Sequence, residues 1–301
     1  MIAFLLALMI DSQAGGPAAR PPKPPPAAAS PKPVAQAPAP APAPAGPALA
    51  SPWRSLETGL DLGEFSSTLA AGGDGLIHVL RIDPGRWRLR LLNASAQEDG
   101  KPRTARAWAK QEGLAAAINA SMYQSDFRTS VSLMRAPGHV NNPRLSKDKA
   151  VLAFDPDDPS LPPVQIIDRE CQTLETLGAR YGSLVQSIRM VSCAGRNVWS
   201  PQERAWSTAA IGVDRQGRVL FIHARAPYTT HNFIEALLAL PVDLKNAMYA
   251  EGGHEAQMFV NAGGRQFEYL GGADDGSDDG LAGLAWPIPN VIGIVPIGAS
   301  R

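Results

Sequence analysis

A glutamate followed at once by two glycines is the part of the sequence with the clearest chemical potential. Glu251 ends an apolar, strand-like stretch (AMYAE) and precedes Gly252 and Gly253. Glycine permits positive φ and close approach to the backbone, so a ligand site or a tight turn is expected there. A carboxylate at such a strand end suits acid, base or nucleophilic catalysis. The alternative interpretation is that Glu251 is simply a polar residue pointing into solvent where the strand ends. His254 comes next and could donate a proton, or it is a histidine of a surface loop.

Three further polar residues lie in or next to predicted strands. Asn119 ends the short apolar run LAAAIN, where its amide suits hydroxyl groups of a ligand, unless it simply forms a turn. Arg225 follows the apolar run VLFIHA, and Arg189 lies within VQSIRMV. The planar guanidinium matches phosphate oxygens, so either arginine could hold a phosphate group. Solvated arginines at strand ends are the alternative.

An acidic run near the C-terminus raises the question of a calcium site. The run DDGSDDG offers four carboxylates for Ca²⁺, those of Asp274, Asp275, Asp278 and Asp279. It lacks the twelve-residue spacing and the closing glutamate of an EF-hand, so a solvated loop is favoured. No other metal or cofactor is predicted. The sequence has no P-loop, Rossmann fingerprint, HExxH or GxSxG motif, which argues against nucleotide-binding, metalloprotease and α/β-hydrolase functions.

Two cysteines, Cys171 and Cys193, are the whole thiol content of the chain. An even number in an exported protein allows one disulfide, and two buried thiols are the equally weighted alternative. The sequence has neither CxxC spacing nor a Cys/His cluster, so a structural zinc site is not expected.

Two pairs of strands are predicted from alternating apolar residues around turns. Residues 75–83 and 87–93 flank an Asp-Pro-Gly turn and predict a hairpin. Residues 207–214 and 219–224 flank an Arg-Gln-Gly turn and predict a second hairpin. These pairs indicate that antiparallel sheet makes up much of the fold.

Helices are fewer. One is predicted at residues 104–112, capped by Thr104 and ended by Gly113, and another at residues 232–240, ended by a proline. Short apolar runs predict further buried strands at residues 114–119, 151–154, 164–168, 247–251 and 291–295. The pattern predicts an α+β fold, with a mostly antiparallel or mixed sheet and a few helices in a single domain.

Composition and charge exclude several classes of protein. The 301-residue chain has 28 Lys and Arg against 28 Asp and Glu, and 45% of its residues are hydrophobic, enough for a sizeable core. The zero net charge argues against nucleic acid as a partner, because phosphate binding requires a basic surplus. No apolar stretch is long enough for a membrane-spanning helix, so no membrane span is expected after signal removal.

The N-terminal region predicts export. Residues 1–14 combine the apolar run MIAFLLALMI with a small-x-small site at Ser12 and Ala14, which is typical of a signal peptide although a basic residue before the run is missing. Residues 15–52 are dominated by proline and alanine and predict a disordered, semi-rigid spacer. The folded domain is therefore predicted at residues 53–301, and the protein is predicted to be periplasmic or secreted.

The order of several short blocks resembles the phosphodiester glycosidase domain family over residues 76–297. The blocks are INASMY, VQSIRMV, STAAIGVD, TTHNFIEALLAL and NAMYAEGGHEA. Family members typically have Asp-Gly-Gly, then Gly and Ser, where this chain has Glu251, Gly252, Gly253, His254 and Glu255. A Gly-Pro pair of the family is likewise replaced by Ile188 and Arg189.

The resemblance implies an exported hydrolase that cleaves a sugar 1-phosphodiester in a glycan or cell-envelope polymer. Glu251 would stabilise an oxocarbenium-like carbon, with His254 as a second catalytic group. Substrate would be bound by Asn119, Ser121, Tyr123, Arg189, Arg225, Gly252 and Gly253. The departures from the family pattern motivate an alternative, a catalytically degenerate member that binds a glycan or cell-wall polymer. The natural substrate and the oligomeric state do not follow from the sequence.

Overall fold

β-Strands are the main regular secondary structure of the described residues. The computed structural model describes residues 52–272 and 284–298, and the predicted signal peptide, the spacer and the acidic run lie outside them. The strands among the described residues are β1 (Trp53–Glu57), β2 (Leu60–Ser66), β3 (Leu76–Ile82), β4 (Trp87–Asn93), β5 (Ala116–Asn119), β6 (Met134–Ala136), β7 (His139–Asn142), β8 (Ala150–Pro156), β9 (Val164–Asp168), β10 (Tyr181–Ser187), β11 (Arg189–Val191), β12 (Trp206–Asp214), β13 (Val219–Tyr228), β14 (Leu244–Gly252), β15 (Gln257–Ala262), β16 (Arg265–Leu270) and β17 (Asn290–Pro296). The helices are α1 (Ala105–Glu112), α2 (Leu174–Gly178) and α3 (Thr230–Ala239).

The strands form three antiparallel sheets. The largest has seven strands in the order β1-β2-β3-β13-β12-β14-β11, and two others have five strands each, β7-β6-β10-β8-β9 and β16-β15-β5-β17-β4. The pairs along these sheets are antiparallel, for example β12 with β13 and β12 with β14. The α+β fold class with a mostly antiparallel sheet is confirmed.

A central core lies between the seven-stranded sheet and the two smaller sheets. It receives Ile211 and Met248 from the large sheet, and Ile118, Phe154 and Ile292 from the smaller ones. Because side chains alternate between the two faces of a strand, apolar side chains also point away from the central core, and other elements pack against them. The helix α3 covers the outer face of the large sheet with residues such as Phe233, and α1 covers the β5–β17 sheet with Trp108.

The first predicted helix begins and ends as predicted, whereas the second, predicted at residues 232–240, begins two residues earlier, at Thr230, and ends at Ala239. Thr104 caps α1, with its hydroxyl accepting the Ala107 N–H at 3.1 Å, and Gly113 ends that helix at φ 63°, in the left-handed region that glycine tolerates. Thr229 caps α3 in the same way through the Asn232 N–H at 3.1 Å. The predicted pair β12 and β13 is also confirmed as a hairpin.

The other predicted hairpin is wrong. Both of its strands form, but β3 pairs with β2 and β13, whereas β4 pairs with β17 in a different sheet. The turn at Asp83 to Gly85 therefore leads from one sheet across to another. Leu80 of β3 and Leu89 of β4 both enter the central core. Two strands that face each other across a core show the same alternation around a turn as a hairpin does.

Candidate functional site

A β-bulge in β14 places Glu251. Ala210 pairs with Tyr249, but the next residue of β12, Ala209, pairs with Glu251, so two residues of β14 lie opposite one residue of β12. Tyr249 faces the α3 side of the sheet, and Ala209 faces the central core. The bulge therefore turns Glu251 away from the Tyr249 face and onto the face of Ala209. Bulges redirect side chains in this way next to many active sites.

The surroundings of Glu251 favour its protonated form. The residue is only partly exposed, and one carboxylate oxygen accepts the N–H of the following Gly252 at 3.1 Å. Burial raises the pKa of Glu251 to about 8, and the nearby charge of Glu255 acts in the same direction. The Gly252 N–H opposes this shift but does not cancel it. Glu251 therefore carries a proton at neutral pH and can donate it.

A turn of 3-10 helix, Gly253–Glu255, follows β14 and is held at several backbone atoms. The amide of Asn119 donates to the Glu255 carbonyl at 2.8 Å and accepts the Gln257 N–H at 2.7 Å. Nε2 of His223 lies 3.2 Å from the Ala256 carbonyl. Burial lowers the pKa of His223 to about 3, so this histidine is neutral and its Nε2–H donates to that carbonyl. These bonds fix the position from which the Glu255 side chain extends.

Tyr123 completes a cluster with the two glutamates. It lies in the loop after β5, where it forms an isolated bridge with Ser130 and its ring packs 5.7 Å from that of Phe127. Burial raises the pKa of the Tyr123 phenol, and the charges of Glu255 and Glu251 raise it further. The phenol is therefore a neutral hydrogen-bond donor beside two carboxyl groups.

A cleft of about 310 Å³ opens at this end of β14. Its lining residues are Arg204, Trp206, Tyr249, Gly252, Gly253 and Glu255. The Arg204 guanidinium lies 5.8 Å from the Trp206 ring centre. A larger cavity, of about 660 Å³, is lined by residues of α1 and β15 and by none of the predicted site residues. The smaller cleft is the candidate site because a cluster of titratable groups adjoins it.

Two of the predicted substrate-binding side chains bond to the protein itself. Arg189 Nη1 contacts both carboxylate oxygens of the buried Asp168, at 2.8 and 2.9 Å. Ser121 donates its hydroxyl to the Gln186 carbonyl at 3.2 Å. These bonds tie strands and loops together. A role of either side chain in substrate binding stays a prediction.

Two other predicted residues, Arg225 and His254, lie near the cleft. Arg225 is exposed on β13 and follows Ala224. Thr208 of β12 pairs with Ala224 on one side and with Gly252 of β14 on the other. Ala224 is thus two strand spacings, or about 10 Å, from Gly252. The ring of His254 stacks on Trp286 at 5.2 Å between centres and an interplanar angle of 8°. Its catalytic role also stays a prediction.

Four residues of the site, Arg204, Trp206, Tyr249 and Glu255, were missed by the sequence analysis. Glu255 is visible only as a second glutamate after the double glycine, and nothing in the sequence shows that it turns back toward Glu251. Arg204 and Trp206 precede and begin β12, and no motif marks them as lining a cleft. Arg204 and Trp206 can be recognised as cleft residues only in the folded protein, because strand pairing brings them beside Gly252.

Cys171 and Cys193 form a disulfide, which resolves the two alternatives left by the sequence. Among the described residues, metal-ligating groups come together at Asp168, Cys171 and Cys193. Both sulfur atoms are bonded to each other and Asp168 is paired with Arg189, so this cluster offers no free thiolate. The proposed Ca²⁺ ligands lie outside the described residues. No helix in the described part of the chain is long and apolar enough to cross a membrane.

Comparison with known proteins shows the family of this chain. A family model described as phosphodiester glycosidase matches residues 112–295, most of the described chain. The chain belongs to this phosphodiester glycosidase family. A search of curated protein sequences gives no match.

Two solved structures are similar in fold. One is the zebrafish N-acetylglucosamine-1-phosphodiester alpha-N-acetylglucosaminidase catalytic domain, auto-inhibited by its pro-peptide, with a TM-score of 0.58 and 12% identity over 82% of this chain and 86% of that one. The other is a hypothetical protein from Synechocystis, with a TM-score of 0.53 and 15% identity over 79% of this chain and 62% of that one. At these identities the likeness shows the fold alone.

Proposed function

We propose that this protein is an exported hydrolase that cleaves the bond between a sugar and phosphate in a sugar 1-phosphodiester of a glycan or cell-envelope polymer. Family membership supports the class of bond. The observation that carries the proposal is Glu251, a carboxyl group that a bulge places on the face of Ala209 and that keeps its proton at neutral pH because it is buried and near the charge of Glu255.

The proton of Glu251 gives it a different task from the one that the sequence suggested. A protonated carboxyl donates to the phosphate oxygen as the sugar–oxygen bond breaks, and phosphate is already a good leaving group. The Tyr123 phenol is placed to donate a hydrogen bond to the substrate from the same cluster. The proposed catalytic role of Glu251 is thus that of a general acid.

Phosphate charge has to be balanced in the cleft. Arg204 lines the cleft, and a guanidinium matches phosphate oxygens better than an ammonium group does. Arg225 lies on a neighbouring strand and is a second candidate for the part of the substrate that extends beyond the cleft. Arg189 is the weakest of the three candidates, because its guanidinium already neutralises Asp168.

Export is the second part of the proposal. It rests on the apolar run at residues 1–10 and on the proline-rich spacer behind it. A disulfide between Cys171 and Cys193 is compatible with an oxidising compartment. Fractionation of the native host should recover the protein outside the cytoplasm. Recovery in the cytosol with Met1 intact would contradict export.

A hydrolysis assay tests the reaction. The purified protein is incubated with N-acetylglucosamine 1-phosphodiester and a panel of other sugar 1-phosphodiesters, and released sugar is measured. Glu251→Gln should lower kcat about 10²–10⁴-fold, because it removes a general acid. Its melting temperature should not fall, since glutamine keeps the shape of the side chain.

Glu175→Gln is the matched control, because Glu175 is an exposed carboxylate in the first turn of α2. It should hydrolyse the substrate at the wild-type rate. A Glu251→Gln variant that is as active as wild type would contradict the proposal. Binding of the sugar phosphodiester by calorimetry, with no release of sugar from any substrate of the panel, would favour the degenerate binding protein instead.

A further inference from the structure

A proton-donating Glu251 leaves one part of the reaction unassigned. Hydrolysis also needs a group that takes a proton from the attacking water or that attacks the sugar carbon itself. Glycoside-cleaving sites use a pair of carboxyl groups whose surroundings separate their protonation states. The second group of this pair has to lie at the cleft that Gly252 and Gly253, the residues after Glu251, line, and it has to carry the negative charge.

Glu255 fulfils the geometric requirement. It lines the cleft together with Gly252 and Gly253, the two residues that follow Glu251, and its negative charge raises the pKa of both Glu251 and Tyr123. Two neighbouring carboxyl groups resist simultaneous ionisation, so the proton stays on the one that is better shielded from water. Glu251 is that group, because desolvation is the largest cause of its shift.

The backbone around Glu255 is held rigidly. The Asn119 amide bonds on both sides of Ala256, at the Glu255 carbonyl and at the Gln257 N–H, and the Ala256 carbonyl accepts from Gly271 N–H at 2.8 Å. Gly253 enters the turn at φ 63°, a conformation that favours glycine. A catalytic side chain on such a turn is positioned by its support rather than by the substrate.

We propose that Glu255 is the second carboxylate of the site and acts as the general base for water, an inference that rests on the proposed function. Glu255 takes a proton from water, and the water oxygen forms a bond to the anomeric carbon. The bond from that carbon to the phosphate oxygen breaks, its electron pair goes to the oxygen, and Glu251 gives that oxygen its proton. One sugar and one phosphomonoester are formed. The proton on Glu255 returns to Glu251 through solvent before the next turnover.

Asn119 becomes a positioning residue in this arrangement. Both ends of its amide are bonded to the backbone that carries Glu255, so its contribution to catalysis passes through the orientation of that carboxylate. Asn119→Asp keeps the acceptor for Gln257 N–H, removes the donor to the Glu255 carbonyl and adds a negative charge. The acidic limb of the kcat/KM pH profile should then move to higher pH. An asparagine with a purely structural role would lower the melting temperature and leave that limb in place.

Kinetics of Glu255 variants test the general base. Glu255→Gln should lower kcat about 10²–10⁴-fold and flatten the acidic limb of the pH profile, with Glu175→Gln as the unchanged control. Glu255→Ala should regain turnover in sodium azide and release a glycosyl azide, detected by mass spectrometry, because azide attacks the sugar without a base. Wild-type kcat and an unchanged profile in Glu255→Gln would overturn the inference while leaving the proposed function intact.

A titration separates failure of this inference from failure of the proposed function. With ¹³C-labelled glutamate, NMR should show that Glu255→Gln lowers the pKa of Glu251, because a neighbouring negative charge is removed. If the wild-type protein hydrolyses no sugar phosphodiester, the proposed reaction is wrong. The general-base role then falls with it, and a lowered Glu251 pKa would still support the carboxyl pair. An unchanged Glu251 titration would overturn the pair itself.

Discussion

The two polar blocks beside β14 use the same residue types in opposite ways. In the block of β10 and β11, the Gln186 amide bonds four backbone groups of the loop at residues 133–148, and the Ser187 hydroxyl donates to the Tyr249 carbonyl at 2.6 Å. Arg189 adds its pair with Asp168. In the block at the end of β14, Glu251 accepts from its own neighbour, Gly252, and experiences the negative charge of Glu255.

The contrast separates scaffold from chemistry. Polar groups that are bonded within the protein contribute to the stability of the fold, and removing one leaves its partner unsatisfied. A group whose surroundings disfavour its ordinary charged state is retained at a cost in stability, which is typical of active sites. We therefore expect the first block to stabilise the fold and the second to carry the proposed reaction.

The largest effect expected on stability comes from Arg189→Met. The Asp168 side chain is 1% exposed, so its negative charge would lose its partner inside the protein. Breaking such a pair costs about 3–5 kcal/mol, which corresponds to a fall in melting temperature on the order of 10 °C for a domain of this size. Thermal melts and kcat/KM should be measured on the same preparations.

Arg225→Met is the matched comparison for Arg189→Met, because Arg225 is exposed. The melting temperature of Arg225→Met should stay close to that of the wild-type protein, as for most surface substitutions. A raised KM in this variant would support phosphate binding by Arg225. If Arg189→Met had the melting temperature of the wild type and a raised KM, Arg189 would bind substrate. That result would contradict the assignment of Arg189 to the block that stabilises the fold.

A smaller effect is expected from Gly252→Ala. A methyl group on Gly252 would overlap the Tyr249 hydroxyl and the Trp206 ring, which form the wall of the cleft. Overpacking of this kind costs about 1–3 kcal/mol, and kcat/KM should fall because the wall has to move. Gly72→Ala is the control, since the nearest atom to its added methyl group is 3.9 Å away. Equal behaviour of the two variants in melts and kinetics would show that the cleft wall is not tightly packed.

The sequence predicts the elements of this fold better than it predicts their partners. The helix at Thr104, the strand that ends in Glu251 and the hairpin of β12 and β13 follow from local pattern and capping chemistry. The partner of β4 does not, because a turn with alternating strands looks the same whether the strands pair or face each other across a core. Sheet assignment depends on contacts between residues far apart in the chain.

The site shows the same limit. Glu251 is found from its strand end and glycines, but its protonation depends on burial and on Glu255, which only the folded chain brings together. Asn119 is recognisable as a polar residue at a strand end, yet its amide bonds the backbone of another segment rather than projecting into open space. A residue type indicates what a side chain can do, and its neighbours determine whether that capacity is free for a ligand.

A pH dependence of stability is expected from the raised pKa of Glu251. That pKa is about 8 in the folded protein, against an ordinary value of 4.5, so the folded state binds more protons than the unfolded state between these pH values. Stability therefore falls as the pH rises from about 4.5 to 8 and changes no further above that range. Glu251→Gln removes this dependence, so its melting temperature relative to wild type should rise progressively across the same pH window. His223, with a folded pKa of about 3, acts oppositely at lower pH in both proteins, so its contribution cancels in the comparison. Melting curves of the two proteins that stay parallel from pH 4 to pH 9 would show that Glu251 is ordinarily charged and would remove its assignment as the acid.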